Sequence, residues 1–288
     1  VLLDFWTYCC INCMHILPDL RRLETKYSQE LVVIGVHSAK FNNEKETGQI
    51  REAVLRYDIQ HPVVNDSAFE AWRSYAVNAW PTTVLINPLG KIIGTYAGEG
   101  VYDPFDAVLR RAIPYFEKKG ALKRSPLKLS LEQARRANTL LNYPGKISAD
   151  EAGGRLFITD SNHNRVIVTD ANGKILDVIG SAEQGREDGS FETAQFHHPQ
   201  GTALARNVLY IADTENHLVR AADLTTRSVT TVLGSGRQAP GGGAGGTGRA
   251  VDLNSPWDVL VHSGKLYIAM AGAHQLWVAD TVSWRAEP

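Results

Sequence analysis

Apolar residues in the first part of the chain recur with two different spacings. Residues 1–6 form an apolar run interrupted only by Asp4, which predicts a buried strand. The stretch 14–27 instead carries apolar residues three or four positions apart, which predicts a helix. By the same reasoning, we predict further strands over 31–36, 83–86 and 92–96, and further helices over 46–57, 69–77 and 104–118. Strands that alternate with helices in this way indicate an α/β layer fold.

From residue 144 onward the pattern changes to short apolar strands separated by Gly, Asn and Asp turns, and it repeats. A histidine returns at intervals of 54 and then 57 residues, at His163, His217 and His274. A repeated unit of about 40–50 residues with four strands is typical of a β-propeller blade. Because a closed propeller needs at least about four blades, three repeats predict a partial propeller and a chain that is a piece of a longer protein.

Composition narrows the function classes. The chain has 288 residues, 43% of them hydrophobic, with a net charge of −1, which gives no support to a nucleic-acid-binding or membrane-surface protein. No apolar run is long enough for a membrane span, and three cysteines cannot build a disulfide framework. The basic stretch 120–143 is interpreted as a linker between the α/β part and the repeats.

The chemistry concentrates in Cys10-Ile11-Asn12-Cys13, which lies between the first predicted strand and the first predicted helix. The start of a helix offers unpaired N–H groups and partial positive charge, which favour a thiolate. A thiolate attacks disulfides, and a second cysteine three residues later can resolve the mixed disulfide. We therefore predict that Cys10 is the nucleophile and Cys13 the resolving residue.

The residues around this pair resemble thioredoxin-like proteins. Asp4-Phe5-Trp6 precedes the pair, Pro18 follows it on the helix, and Trp80-Pro81-Thr82 matches the cis-proline loop. The resemblance implies that Asp4 is the buried proton acceptor and that Trp80, Pro81 and Thr82 bind the substrate backbone. Cys9 stands where thioredoxins have Trp, and Ile-Asn replaces Gly-Pro between the cysteines, as in the TlpA/DipZ-like branch. The redox potential of thioredoxins is therefore not assumed for this cysteine pair.

The repeats resemble NHL repeats, named for the Asn-His-Leu found here at 216–218. Together with the cysteine motif they are similar to the family of NHL-repeat-containing protein 2 and its bacterial relatives, which implies a six-bladed propeller that serves as an interaction platform. The predicted division is a thioredoxin-like domain over 1–119, the linker over 120–143 and an NHL propeller of about three blades over 144–288.

We thus predict a thiol-disulfide oxidoreductase that acts on a protein disulfide substrate or redox partner and needs no cofactor, while the propeller binds a protein partner. A non-enzymatic scaffold is the alternative, and a thiol peroxidase that uses Thr7 is a weaker one. Zinc at the cysteines with His15 is weighed and disfavoured, as is a metal at the repeated histidines, so no metal is expected. Cys9 is a possible extra redox thiol. A cytoplasmic location is expected, with a periplasmic one open.

Overall fold

The computed structural model describes residues 1–124, 129, 131–135 and 139–288, with backbone only at 134 and 135. It divides into two compact units, Val1–Asn138 and Thr139–Pro288. Of the basic linker expected over 120–143, residues 125–128, 130 and 136–138 lie outside the described residues. Within the described part, Gln133 donates a side-chain hydrogen bond to the carbonyl of Val54 (2.9 Å).

The first unit is an α/β fold with a five-stranded sheet. Its strands are β1 (Leu2–Trp6), β2 (Val33–His37), β3 (Val63–Asn65), β4 (Thr82–Ile86) and β5 (Ile92–Ala97). Its helices are α1 (Ile11–His15), α2 (Leu17–Lys26), α3 (Thr47–Arg56), α4 (Glu70–Ser74) and α5 (Tyr102–Lys118), with 3₁₀ turns at Asn42–Lys45 and Glu132–Arg135. The strand order is β3-β2-β1-β4-β5; β1 runs parallel to β2 and antiparallel to β4.

The central strand β1 is apolar except at Asp4 because both of its faces are buried. All five of its residues are buried, because helices and loops pack on both faces of the sheet. One face, with Leu2 and Trp6, packs against α1, α2, α3 and α5, and the other, with Leu3 and Phe5, packs against α4. The predicted α/β layer is therefore confirmed, and β1 delivers its carboxyl end to the cysteine motif.

Two predicted helices differ in the structure. The helix predicted over 14–27 is divided at Ile16 into α1 and α2. Pro18 lies in the first turn of α2, where a missing N–H group is tolerated. The helix predicted over 69–77 is only the short α4, because Phe69 and Ala76 on either side have left-handed backbone conformations.

The second unit consists of three antiparallel sheets. The first contains β6 (Ile147–Asp150), β7 (Arg155–Asp160), β8 (Arg165–Asp170) and β9 (Ile175–Ile179). The second contains β10 (Gly189–Ser190), β11 (Pro199–Ala205), β12 (Val208–Asp213), β13 (Leu218–Asp223) and β14 (Ser228–Leu233). The third contains β15 (Gly246–Thr247), β16 (Pro256–His262), β17 (Lys265–Met270), β18 (Gln275–Asp280) and β19 (Arg285–Glu287). Four successive strands in each sheet form the repeated blade, in agreement with the predicted partial propeller.

Equivalent 3₁₀ turns join the second and third strands of each blade, and they correct the alignment of the first repeat. Each turn is followed by one residue with a left-handed backbone. The turns are Ser161–His163, Thr214–Asn216 and Ala271–Ala273, and the left-handed residues are Asn164, His217 and His274. His163 is therefore equivalent to Asn216 and not to His217, so the interval of 54 residues was wrong by one position.

Hydrogen bonds at equivalent positions join neighbouring blades. The Ser161 hydroxyl donates to the carbonyl of Pro199 (2.7 Å), and the Thr214 hydroxyl donates to that of Pro256 (2.7 Å). Nδ1 of His217 accepts a bond from the backbone N–H of Ser255 in the next blade (3.0 Å). The interpretation of the repeated polar residues as bonds between blades is confirmed at His217. None of the described helices combines the length and apolar character that a bilayer crossing requires.

Candidate active site

The cysteine motif lies at the carboxyl end of β1, where the chain turns into α1. The N–H of Cys10 donates to the carbonyl of Thr7 (3.2 Å), and that of Cys13 donates to the carbonyl of Cys10 (3.0 Å). All three cysteines are free thiols; Cys9 is exposed, Cys10 half-buried and Cys13 buried. The turn thus presents the first cysteine of the pair to solvent and keeps the second beneath it.

The pKa values of the two cysteines of the pair are shifted in opposite directions from the ordinary value of a cysteine. The hydrogen bond donated by the Cys13 thiol lowers the pKa of Cys10 to about 7. The N–H groups of Cys13 and Asn12 and the charge of Lys40 act in the same direction, against the effect of partial burial. Burial raises the pKa of Cys13 well above its ordinary value. At neutral pH about half of the Cys10 thiol is therefore ionised, while Cys13 stays protonated.

Asp4 lies in the middle of β1, paired in register with Gly35 on one side and Thr83 on the other. The carboxyl group is fully buried, and burial raises its pKa to about 7. Among the described residues, neither carboxyl oxygen has a hydrogen-bond partner. The charges of Cys10 and Asp4 affect each other, and that of Asp4 also raises the pKa of Cys13, which places the carboxyl within electrostatic reach of both thiols.

His61 is a neighbour of this carboxyl that the sequence analysis missed. Its side chain is buried and lacks a hydrogen bond within the described residues, while Nδ1 lies 3.3 Å from Oε1 of Glu24. A Cβ atom at Gly35 would lie 3.0 Å from side-chain atoms of Trp6 and Val63 and 3.5 Å from Nε2 of His61, so the glycine leaves space for this group of side chains. The charge of His61 lowers the pKa of Asp4. The available signal was the glycine itself, since a glycine inside a strand indicates a close approach.

Glu44 is a second residue that the sequence analysis missed. Its buried carboxylate accepts hydrogen bonds from the Thr7 hydroxyl (2.7 Å) and from the N–H groups of Lys40 (2.7 Å), Phe41 (3.0 Å) and Cys9 (3.2 Å). Partial burial and this carboxylate raise the pKa of Cys9 to about 12. Glu44 therefore fixes the turn before the pair and keeps Cys9 protonated. The Thr7 hydroxyl, considered for a peroxidase, is committed to Glu44.

The Trp80–Pro81 bond is cis, as the motif predicts. Trp80 is half-buried and packs, together with Cys10, against the apolar cluster that contains Cys13. The Thr82 hydroxyl is buried and donates to the carbonyl three residues before it (2.8 Å). The structure therefore brings Trp80 together with both cysteines, whereas the Thr82 side chain is turned into its own loop.

His15, weighed as a ligand of zinc, points to a different partner. Its Nδ1 lies 3.0 Å from Oε1 of Glu99, and its side chain is 8% exposed. This contact favours a structural role for His15 over metal binding with the cysteines.

Comparison with known proteins agrees with both units. Residues 1–92 match the thioredoxin-like family model, and residues 196–221 match the NHL-repeat model. The chain is thus a thioredoxin-like domain followed by NHL repeats, a type of domain that generally mediates protein interactions. It is similar over 96% of its length to NHL repeat-containing protein 2 of Gallus gallus, with 44% identity, as the motifs predict.

The similarity extends to two other proteins. Protein SUPPRESSOR OF QUENCHING 1, chloroplastic, of Arabidopsis thaliana is 50% identical over 96% of this chain. Thiol-disulfide oxidoreductase ResA of Bacillus thuringiensis is 28% identical over 40% of this chain and 64% of its own length. The chain spans 27% of the Arabidopsis protein and 40% of the Gallus protein.

Proposed function

We propose that this chain catalyses thiol–disulfide exchange at Cys10 and Cys13. The observation that carries the proposal is the opposite acidity of the two cysteines, with a thiolate on the accessible one and a thiol on the buried one. A nucleophile with a pKa near the ambient pH is close to the optimum for attack on a disulfide. The similarity of this part of the chain to the thiol-disulfide oxidoreductase ResA supports the same chemistry.

The proposed reaction has two steps. The Cys10 thiolate attacks one sulfur of a substrate disulfide, the substrate S–S bond breaks, and one substrate sulfur leaves as a thiolate. Cys13 then gives its proton to the carboxylate of Asp4, and its thiolate attacks the Cys10 sulfur. The second substrate sulfur leaves, the substrate has gained two electrons, and the Cys10–Cys13 disulfide holds the oxidation. A donor dithiol, or two donor thiols in turn, then reduces the Cys10–Cys13 disulfide and is itself oxidised to a disulfide.

Asp4 suits the role of proton acceptor because its pKa, about 7, lies near the pH at which the reaction runs. His61, with Glu24 3.3 Å beyond it, offers a buried connection from Asp4 toward the partly exposed Glu24. We assign His61 the part of a positioning residue that adjusts the charge of Asp4. The loop of Trp80, Pro81 and Thr82 holds the substrate backbone in this proposal.

The division of labour follows the predicted domains, 1–119 for the chemistry and 144–288 for a protein partner. The NHL repeats support the second assignment, since such propellers serve as interaction surfaces. A reducing compartment, the cytoplasm in the sequence prediction, would keep the pair ready for attack. The Arabidopsis relative is a chloroplastic protein.

The test uses the full chain and a peptide substrate with one disulfide. The parent should reduce it, Cys10→Ser should not, and Cys13→Ser should accumulate a mixed disulfide through Cys10. Cys9→Ser is the matched control and should retain turnover, because Glu44 keeps that thiol protonated. Failure of Cys10 and Cys13 to form a reversible disulfide in glutathione buffers would refute the proposal and leave the scaffold alternative.

The same titration gives the direction of electron flow. A reduction potential near about −270 mV, as in thioredoxin, indicates a reductant, and one near about −120 mV indicates an oxidant.

A further inference from the structure

Two imidazoles and one carboxylate meet at one end of the second blade. Nε2 of His197 lies 3.2 Å from Oε2 of Glu215, and Nδ1 of His198 lies 2.8 Å from Oε1 of the same residue. One ligand atom from each of the three side chains lies within 4.8 Å of the others. The side chains are 21%, 23% and 33% exposed, so an ion from solvent can reach them.

The blade fold does not require this cluster. In all three blades the residue at the second position of the 3₁₀ turn donates its N–H to the carbonyl of the residue two positions before a proline (Pro144, Pro199 or Pro256), for example Glu215 to His197 (3.2 Å). The other two blades make the same backbone bond with different side chains. The equivalents of His197, His198 and Glu215 are Asn142, Tyr143 and Asn162 in the first blade and Asn254, Ser255 and Gly272 in the third.

The backbone holds the two histidines so that their rings face one carboxylate. Neighbouring residues of an extended chain point to opposite sides, but His198 has a left-handed conformation with a φ of 47°. The rings consequently lie 5.0 Å apart. The N–H of His197 is held by the buried carboxylate of Asp213 (2.8 Å), and that of His198 by the Asn164 side chain (3.0 Å). These backbone hydrogen bonds therefore fix the positions of both histidines.

We propose that His197, His198 and Glu215 bind a divalent transition-metal ion, with zinc as the best match. Imidazole nitrogen and carboxylate oxygen are common zinc ligands, at bonds of about 2.0–2.2 Å. Tetrahedral bonds of that length place neighbouring ligand atoms about 3.3 Å apart, and the three ligand atoms here lie within 4.8 Å of one another, so small side-chain movements bring them to one ion. Three protein ligands leave water or a further ligand to complete the tetrahedron.

The expectation of no metal came from the repeated histidines, which lie on successive blades. This cluster uses positions that differ among the blades, and two of its members are adjacent in the chain. The proposal stands independently of the cysteine chemistry.

The experiment is a titration of the full chain with Zn²⁺, and with Co²⁺ as a spectroscopic probe. Because Cys10 and Cys13 can themselves bind zinc, the titration is done in a Cys10→Ser/Cys13→Ser background, with folding checked by circular dichroism. In this background, Co²⁺ at the proposed site should give ligand-field bands without the thiolate charge-transfer absorption that cysteine ligation produces. One equivalent of metal should bind.

The test variants take their residues from the neighbouring blades, so that the blade fold tolerates them. They are His197→Asn, His198→Ser and Glu215→Asn. Each variant removes a direct metal ligand, so each should weaken metal binding more than the loss of a residue that only hydrogen-bonds to a ligand, which costs about 10–100-fold. The exposed His262 provides the control, and His262→Asn should bind as the parent does. The proposal is overturned if no stoichiometric site is found, or if the three variants and the control bind alike.

Discussion

Asp4→Asn should make the first unit more stable at neutral pH, although it removes a buried group of the proposed site. The carboxyl is fully buried and, within the described residues, neither of its oxygens accepts a hydrogen bond. Ionisation is therefore unfavourable in the folded state, which is why the pKa rises from 3.8 to about 7. Asparagine has nearly the same shape and never ionises.

The magnitude follows from the difference between the two pKa values. At about 1.4 kcal/mol for each pKa unit, the ionised Asp4 lowers the free energy of unfolding by about 4 kcal/mol. The sign is that of an acid whose folded pKa is raised. The penalty is absent below pH of about 4, grows as the pH rises toward about 7, and is constant above it. The variant lacks this dependence, apart from a constant offset between the amide and the protonated acid.

The assay can isolate the first unit because all three cysteines of the chain lie in it. Reduced protein is equilibrated in urea at a series of pH values, and a brief pulse of alkylating reagent labels the thiols that unfolding exposes. Mass spectrometry counts labelled Cys13, which is fully buried in the folded state. A model thiol corrects for the pH dependence of alkylation itself. The midpoint difference between variant and parent should widen from pH 4 to pH 7.

Asp106→Asn is the matched control with the opposite sign. Asp106 is buried in α5, and hydrogen bonds from Lys26 and Tyr27 together with the charge of Arg110 hold its pKa below the usual range. Its stabilisation is present above the ordinary carboxyl pKa and is lost as the pH falls through the lowered value, so this variant should be less stable than the parent at neutral pH. Parallel pH profiles for Asp4→Asn and the parent would contradict the reasoning.

Three further results are expected. The rate at which iodoacetamide alkylates Cys10 should rise with pH, with a midpoint at about pH 7. Cys9, with a pKa of about 12, should react slowly until the solution is strongly alkaline. Peptide mass spectrometry measures the alkylation of each cysteine separately. Glu44→Gln should lower the pKa of Cys9 and raise its alkylation rate at pH 9, and an unchanged rate would show that burial alone sets it. Arg220→Met should destabilise the second unit by about 3–5 kcal/mol in urea unfolding, because it leaves Asp213 buried without its ion pair, and adding Asp213→Asn should restore most of the loss.

The fold could be predicted from the sequence because its signals are local. The spacing of apolar residues marks each strand and helix, and most of the thioredoxin-like motif lies in the short stretch from Asp4 to Pro18. The repeats are equally local, although an apolar pattern does not fix their register to one residue. His163 shows this, since a histidine one position away from the true equivalent produced a plausible interval.

The residues of the candidate site that the sequence analysis missed have one feature in common. Each acts on a residue that is distant from it in the sequence. Glu44 bonds to Cys9 from 35 positions away, and the charge of His61 acts on Asp4 from 57 positions away. Such contacts depend on side-chain packing in three dimensions and leave no periodic signal in the sequence. For the same reason the metal cluster was missed, because Glu215 and the two histidines meet only through the turn of the blade.

Two buried carboxylates show why the missing contacts matter for function. Asp213 in the second unit is fully buried with a pKa raised to about 6, but it accepts hydrogen bonds from His197, Asn216 and Arg220. Asp4 is equally buried and, within the described residues, accepts none. A buried carboxyl that is fully bonded organises the blade around it and is stabilised by doing so. A buried carboxyl without such bonds costs stability, and its position near the thiol pair agrees with the proposed role as proton acceptor.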